Sequence, residues 1–348
     1  MEIPIERYTL PNGLRVVLSE DHTLPVVGVN LWYGVGSRNE RAGRTGLAHL
    51  FEHMMFQGSE HVPETAHIGY VERVGGAVNA STWLDRTNYY ATVPSSWLEL
   101  VLWLESDRMG FYLPALTQEK FDNQREVVKN ERRQRVDNQP YGDWDERLQR
   151  LLYPPDHPYH HSVIGSMDDL DAATLDDVRD FFRTYYAPNN CVLSVAGDFD
   201  PAEARRLIER YFGPIPQGPP VPPLPGTPEI EPLHLGREVR ETVEAAVALP
   251  RIYLAYRTPP YGDPAYYVAD VLSELLAGGK SARLYRSLVR EKRVARAVAA
   301  FVLPVVTGAS ALILRANVPP GHAPDPVEQA LLEELEILGR EGPQPAEA

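Results

Sequence analysis

The pattern of apolar and polar positions at the start of the chain predicts the strands of a sheet. Two short strand-like segments, Tyr8 to Leu10 and Leu14 to Leu18, flank the dipeptide Asn12-Gly13, which is typical of a hairpin turn. Val26 to Tyr33 is a longer apolar segment of strand type. Segments with helical spacing of apolar residues follow and alternate with further strand-like segments. Runs of strands mixed with runs of helices predict an α+β lobe over residues 1–212.

The same periodicities predict the other elements of this first lobe. They predict helices over 46–58, 64–74, 95–110, 117–136, 141–152, 174–186 and 201–212, and strands within 77–93 and over 190–196.

A proline-rich segment over residues 213–233 divides the chain. It predicts an extended, semi-rigid linker, and the alternative is a surface loop within one domain. The pattern begins again over residues 234–348, so we expect a second lobe that is a diverged repeat of the first. This lobe has about half the elements of the first, which predicts that it is truncated. It contains strands within 239–256, 296–304 and 309–317 and helices over 264–278, 281–290 and from 325.

Composition narrows the classes of function. The net charge of −14 over 348 residues argues against nucleic acid as a partner, because phosphate neutralisation needs a basic surface. Cys191 is the single cysteine, so an intrachain disulfide is excluded. We expect no membrane span, because no stretch has the required apolar length. The residues from Met1 to Arg7 are not typical of a signal peptide, which favours a cytoplasmic location, or a periplasmic one if a signal has been removed.

Candidate chemistry lies in the predicted helix over 46–58. His49 and His53 stand four positions apart, on one face of a helix and one turn apart, so both imidazoles can reach one tetrahedral zinc ion. Glu52 directly precedes the second histidine, close enough to act as general base on water activated by zinc. This H-x-x-E-H order is the inverzincin signature. The alternative is an exposed helix with unrelated histidines, but the apolar neighbours keep helical spacing and predict a largely buried helix.

A catalytic zinc keeps three protein ligands, so a third residue is required. On the charged helix over 117–136, Glu131 shares a face with Val128 and Gln124, whereas Glu126 points elsewhere. A glutamate on an apolar face is a candidate ligand. Spacing fits equally well a solvated Glu131 that pairs with Arg135 at i+4, and it does not separate the two.

Several further segments make the chain recognisable. It resembles the pitrilysin/insulinase family of zinc peptidases, which includes the mitochondrial processing peptidases, over nearly its whole length. Besides 49–53 and the Glu131 helix, the resemblance rests on Leu10 to Leu14, Gly75 to Thr82, His157 to Tyr159 and Asn189 to Asp198. It implies that Glu131 is the third ligand of one zinc ion per chain. Many relatives carry a second glutamate where this chain has Gln124, which can still hydrogen-bond beside the site but adds no charge.

The resemblance also implies an activity and an architecture. The expected activity is that of a zinc-dependent endopeptidase that cleaves peptides or unfolded segments, with Glu52 as general base. Asn79, Ala80 and Ser81 would bind substrate, because in the family this strand is a sheet edge that pairs with the peptide backbone; the alternative is a plain buried strand. The family has two homologous lobes, only one of which holds metal.

Two expectations concern partners. The resemblance and the exposed sheet edge of the second lobe favour a homo- or hetero-oligomer with another two-lobed subunit. The alternative function is a non-catalytic, peptide-binding or complex-forming subunit of the same fold. Such relatives usually lose the motif, and the intact His49, Glu52, His53 and Glu131 favour catalysis.

Overall fold

The computed structural model describes residues 3–224, 235–344 and 347, and contacts divide the chain into two compact units. The first unit comprises Met1–Asp137 and His161–Pro225, and the second comprises Asn138–His160 and Gly226–Ala348. Residues 138–160, which we expected in the first lobe, therefore belong to the second unit. In the predicted linker, residues 213–224 form neither helix nor strand, and residues 225–233 lie outside the described part of the chain.

The first unit is built on a six-stranded sheet. Its order is β1-β2-β6-β3-β5-β4, and every neighbouring pair is antiparallel except β2 and β6. β4 therefore lies at one edge. The strands are β1 (Glu6–Thr9), β2 (Arg15–Glu20), β3 (Val26–Tyr33), β4 (Ala77–Thr82), β5 (Thr87–Pro94) and β6 (Cys191–Gly197).

Helices cover one face of this sheet. Residues at alternate strand positions, such as Leu31 and Tyr89, are fully buried in the core, whereas their neighbours Trp32 and Tyr90 are exposed on the other face. The helices in the first part of the chain are α1 (Leu47–Met54), α2 (Ala66–Arg73), α3 (Leu98–Gly110), α4 (Gln118–Arg132), α5 (Trp144–Leu152), α6 (Met167–Ala172), α7 (Leu175–Tyr185) and α8 (Pro201–Phe212). All belong to the first unit except α5.

Two local features of the first unit differ from the prediction. The predicted helix over 117–136 ends as an α-helix at Arg132 and continues through Arg133–Asp137 as a wider π-helical turn. The short helix α6 was not predicted; Ser166 caps it, and only Leu170 among its six residues is buried. Such a short segment has too little apolar periodicity to be recognised.

The second unit contains a three-stranded antiparallel sheet of order β7-β9-β8. α5 belongs here because Trp144 stacks on Tyr253 of β7, with 5.2 Å between the ring centroids. The remaining elements are β7 (Arg251–Thr258), α9 (Pro264–Ala277), β8 (Ala297–Leu303), β9 (Ser310–Asn317) and α10 (Pro324–Glu341).

Two predictions for this unit were wrong in detail. Residues 239–250 were expected in a strand, but β7 begins only at Arg251. The residues before it are mostly exposed and have no strand partner in the described part of the chain, so their β-propensity is not realised. The helix expected over 281–290 is a π-helical segment over Tyr285–Glu291. The mixed α+β architecture with mainly antiparallel sheets is confirmed.

Among the described residues, no helix combines the length and the apolar character needed to cross a membrane.

Candidate metal centre

α1 turns its apolar residues into the core and its polar motif to the opposite side. Phe51 is completely buried, and its ring centroid lies 4.2 Å from that of Tyr186. His49, Glu52 and His53 lie on the remaining side of the helix and are only partly buried. The helical period thus places all three polar side chains on one side of a helix that packing holds in place.

α4 brings Glu131 to the two histidines. Oε2 of Glu131 lies 3.3 Å from Nε2 of His53 and 3.8 Å from Nε2 of His49. One candidate ligand atom from each residue lies within 4.8 Å of the other two. No other group of three or more potential metal-binding side chains was found in the part of the chain that the structure describes.

The electrostatics of this cluster favour the protonation states that metal binding requires. Burial, helped by the neighbouring His53, lowers the pKa of His49 and favours its neutral imidazole. The hydrogen bond with His53 lowers the pKa of Glu131 and favours its carboxylate. A neutral imidazole and an ionised carboxylate are the forms that donate electron pairs to a metal.

Glu131 contacts both the histidine pair and Arg135, the residue with which spacing also allowed it to pair. Its second oxygen, Oε1, lies 2.5 Å from a guanidinium nitrogen of Arg135, which is 76% exposed. Glu126 is more than half exposed and pairs instead with Lys129, at 3.2 Å. The carboxylate of Glu131 therefore bridges an exposed cation and the histidine pair, and Glu126 stays outside the cluster.

Glu52 has a specific hydrogen-bond partner that sequence reasoning did not identify. Oγ1 of Thr82 donates a 2.5 Å hydrogen bond to Oε2 of Glu52. Burial raises the pKa of Glu52 above its usual range, while the bond from Thr82 and the charge of Arg86 oppose the shift. The alternation of side chains along a strand could have indicated Thr82 as a residue near the site, because it places Thr82 on the same side of β4 as the candidate Ala80.

The three candidate substrate-binding residues lie along β4, at the sheet edge. Asn79 is exposed, and its Oδ1 accepts a hydrogen bond from the backbone N–H of Ala80 at 2.8 Å. Ser81 donates to Oδ1 of Asn88 across the β4–β5 pair, and Arg86 donates to its backbone carbonyl. Asn79 thus faces solvent, whereas Ser81 is engaged within the sheet.

Gln124 lies on α4 two turns before Glu131 and is buried, with 8% of its surface exposed. α4 packs against α1, so Gln124 is on the helix that supports the cluster. On α1, Nδ1 of His49 is buried and has no hydrogen-bond partner among the described residues. Partners for the second nitrogen of a ligating histidine are usual in metal sites, and this structure departs from that pattern.

Two other histidines, His157 and His161, lie outside the cluster. His157 is buried in the second unit, where its ring stacks on Tyr153. His161 belongs to the first unit, and its Nδ1 lies 3.5 Å from the buried carboxylate of Glu40. The sequence did not single out Glu40, because its contact with His161 joins positions far apart in the chain and depends on packing.

Comparisons with known proteins extend the family resemblance. The family model described as insulinase (peptidase family M16) matches residues 15–153, and the model of the peptidase M16 inactive domain matches residues 172–348. All candidate ligands lie within the first match. None of the candidate ligands lies within the second match, which begins at residue 172, inside the lobe expected over 1–212.

The relatives that match this chain include proteins named as zinc proteases. The zinc protease PqqE of Helicobacter pylori is 34% identical over 83% of this chain, and the chain spans 65% of that protein. An uncharacterised zinc protease of Mycobacterium leprae is 32% identical, with 98% of this chain and 75% of the relative covered. The crystal structure of a protease from Helicobacter pylori superimposes with a TM-score of 0.92 at 32% identity, covering 99% of this chain and 82% of that one.

Proposed function

The chain belongs to peptidase family M16, the insulinase family, and on this premise we propose that it is a zinc-dependent endopeptidase that cleaves peptides or unfolded segments. The observation that carries the proposal is the convergence of His49, His53 and Glu131 beside Glu52. Two imidazole nitrogens and one carboxylate oxygen are a ligand set that catalytic zinc uses, with a fourth position left for the reaction.

The spacing of these atoms fits the metal. Zinc bonds of about 2.0–2.1 Å in tetrahedral geometry hold neighbouring ligand atoms roughly 3.4 Å apart. The distances from Oε2 of Glu131 to the two Nε2 atoms, 3.3 and 3.8 Å, lie close to that value. We therefore propose one zinc ion per chain at this cluster, with His49, His53 and Glu131 as its ligands.

Glu52 is the proposed general base. When bound, zinc supplies Lewis-acid polarisation of the scissile carbonyl and lowers the pKa of water. Thr82 occupies Oε2 of Glu52, which leaves Oε1 for the proton of the attacking water. Burial raises the pKa of Glu52, so its carboxyl can take up this proton and then donate it to the leaving amine.

Substrate would be held by the edge of the sheet. β4 ends at Thr82, the residue that contacts Glu52, so a peptide paired along β4 would have its backbone next to the general base. Asn79, Ala80 and Ser81 are the proposed contacts. The side chain of Asn79 would have to release the N–H of Ala80 before a substrate carbonyl could accept from it. Pairing of this kind recognises backbone, which favours a broad range of peptide sequences.

The alternative is a non-catalytic subunit that binds peptides. A structural neighbour described as a peptidase M16 inactive domain, from Pseudomonas fluorescens, shares the fold at 17% identity. The complete set of ligands and Glu52 supports catalysis instead.

Zinc content measured together with cleavage of a quenched unstructured peptide tests the proposal. We expect about one zinc per chain, and cleavage that a chelator abolishes and added zinc restores. Zinc binding without cleavage would favour the alternative, and the absence of zinc binding would refute both the metal site and the proposed reaction.

A further inference from the structure

The N-terminus of α1 has no cap of its own. The residue at the N-cap is Gly46, which has no side chain to accept a hydrogen bond from the first turn. Its φ of +88° is in the left-handed region, and a Cβ atom there would lie 2.6 Å from the carbonyl oxygen of Ile164. The backbone conformation and the close approach of Ile164 therefore both require glycine, and they exclude the serine, threonine or aspartate that usually caps a helix.

Glu40 supplies the missing cap from six residues earlier in the chain. Its Oε2 accepts from the backbone N–H of Gly46 at 2.9 Å, and its Oε1 accepts from the N–H of Ala48 at 2.7 Å. The side chain is completely buried, and Nδ1 of His161 lies 3.5 Å from Oε2. Burial raises the pKa of Glu40, and the two backbone donors oppose that shift. Both oxygens of Glu40 accept from N–H groups, which is the arrangement of an ionised carboxylate, and that charge also interacts favourably with the positive end of the helix dipole.

We propose that Glu40 is a positioning residue for the metal site, because it holds the first turn of α1 and thereby sets the place of His49. This inference rests on the proposed zinc site. His49 is the third residue of α1, next to Ala48, whose N–H Glu40 binds. α1 has only eight residues, and a helix of that length depends on its ends and its packing for order. Glu52 and His53 lie in the following turn, where Phe51 anchors the helix in the core.

A second anchor nearby provides a matched control. Asp169 accepts hydrogen bonds from the N–H of Thr45, at 3.0 Å, and from its hydroxyl, at 2.5 Å. Asp169 therefore also stabilises the segment before α1, and it accepts two hydrogen bonds, as Glu40 does. Neither of the two comes from an N–H group of α1. If Glu40 only stabilises the fold, Glu40→Gln and Asp169→Asn should change zinc affinity to a similar extent. A positioning role predicts that only Glu40→Gln alters the metal site.

The test measures zinc affinity, by competition with a chromophoric chelator, in the full chain and in both variants. Glu40→Gln keeps the size of the side chain but turns an amide donor towards a backbone N–H. We expect it to weaken zinc binding about 10- to 100-fold, the usual effect of residues that orient ligands, and Asp169→Asn to change it by less than about 3-fold. With cobalt at saturation, the visible absorption bands of Glu40→Gln should shift in energy or intensity, and those of Asp169→Asn should match the parent.

The outcomes separate the two proposals. If the parent binds no zinc, the proposed metal site fails. If the parent binds zinc and Glu40→Gln binds it equally well, or if both variants lose affinity alike, the positioning role is refuted while the metal site stands. Should Glu40→Gln yield no folded protein, Glu40→Asp takes its place: it keeps the charge with a shorter reach, we expect weakened zinc binding, and parental affinity in a folded Glu40→Asp variant would refute the proposal.

Discussion

The hydroxyl of Thr82 donates a 2.5 Å hydrogen bond to the carboxylate of Glu52, and this bond joins the end of the edge strand β4 to the motif helix α1. Thr82 and Glu52 are half-buried, so water competes only partly for the carboxylate. The contact orients the proposed general base directly beside the strand on which we propose that substrate lies.

Replacing Thr82 with valine should impair catalysis without impairing metal binding. Valine keeps the shape and the β-propensity but leaves Oε2 of Glu52 without its donor. Hydrogen bonds to charged groups contribute about 1.5–3 kcal/mol, so we expect kcat to fall about 10- to 100-fold. Zinc affinity should stay within a factor of about 2, because Thr82 contacts none of the proposed ligands.

Thr92→Val is the control for this change. Thr92 lies on β5 of the same sheet and is exposed, and we expect parental activity for this variant. Equal kcat in Thr82→Val and the parent would show that the bond to Glu52 has no catalytic role.

Replacing Glu52 with glutamine should separate hydrolysis from metal binding. Glutamine fills the same space and can still accept from Thr82, but it cannot take up a proton. General-base catalysis contributes about 10²–10⁴-fold, so we expect a loss of at least about 100-fold in kcat with zinc content unchanged. Substantial turnover by a zinc-loaded Glu52→Gln variant would contradict the assignment of the base.

The assignment of the third ligand can be tested with two glutamates of one helix. Glu131→Gln removes the anionic donor nearest the histidines, and we expect zinc affinity to fall by at least about 100-fold. Glu126→Gln is the matched control, because Glu126 is exposed on the same helix and pairs with Lys129. Zinc titration of both variants decides the question, and parental affinity in Glu131→Gln would refute Glu131 as the third ligand.

His157 should make the protein sensitive to mild acid. Burial, followed by the charge of Arg257, lowers the pKa of His157 to about 4 in the folded chain, against a usual value of about 6.5. Between these values the unfolded chain binds a proton that the folded chain does not, so stability is lost as the pH falls from about 6.5 to about 4. The shift corresponds to about 3 kcal/mol of unfolding free energy.

Denaturant unfolding of metal-free protein at pH 7 and pH 4.5 measures this loss. In His157→Asn the amide oxygen can still accept from the N–H of Tyr159, as Nδ1 does at 3.1 Å, but the side chain does not titrate. We therefore expect a smaller loss of stability on acidification than in the parent. The same loss in both proteins would assign the acid sensitivity to other groups.

The fold was largely predictable where periodicity is strong. Bounds for β3, α1 and α8 agree with the apolar pattern to within a few residues, because each element is long or strongly amphipathic. Residues 239–250 were predicted as a strand and form none. Their composition suits a strand, but a strand exists only where a neighbouring strand accepts its hydrogen bonds, and local sequence does not contain that information.

For the candidate site, the sequence by itself determined what lies on one helix. The spacing of His49, Glu52 and His53 and the apolar face beneath them follow from the 3.6-residue period, which is a local property. Only the tertiary structure decided how separate segments meet. It brought Glu131 to the histidines while leaving its second oxygen to Arg135, and it placed Thr82 on Glu52. It also buried Glu40 at the N-terminus of α1. The contacts of Glu131 with the histidines and of Thr82 with Glu52 join segments distant in sequence, and packing of the whole core fixes their distances, so no local pattern encodes them.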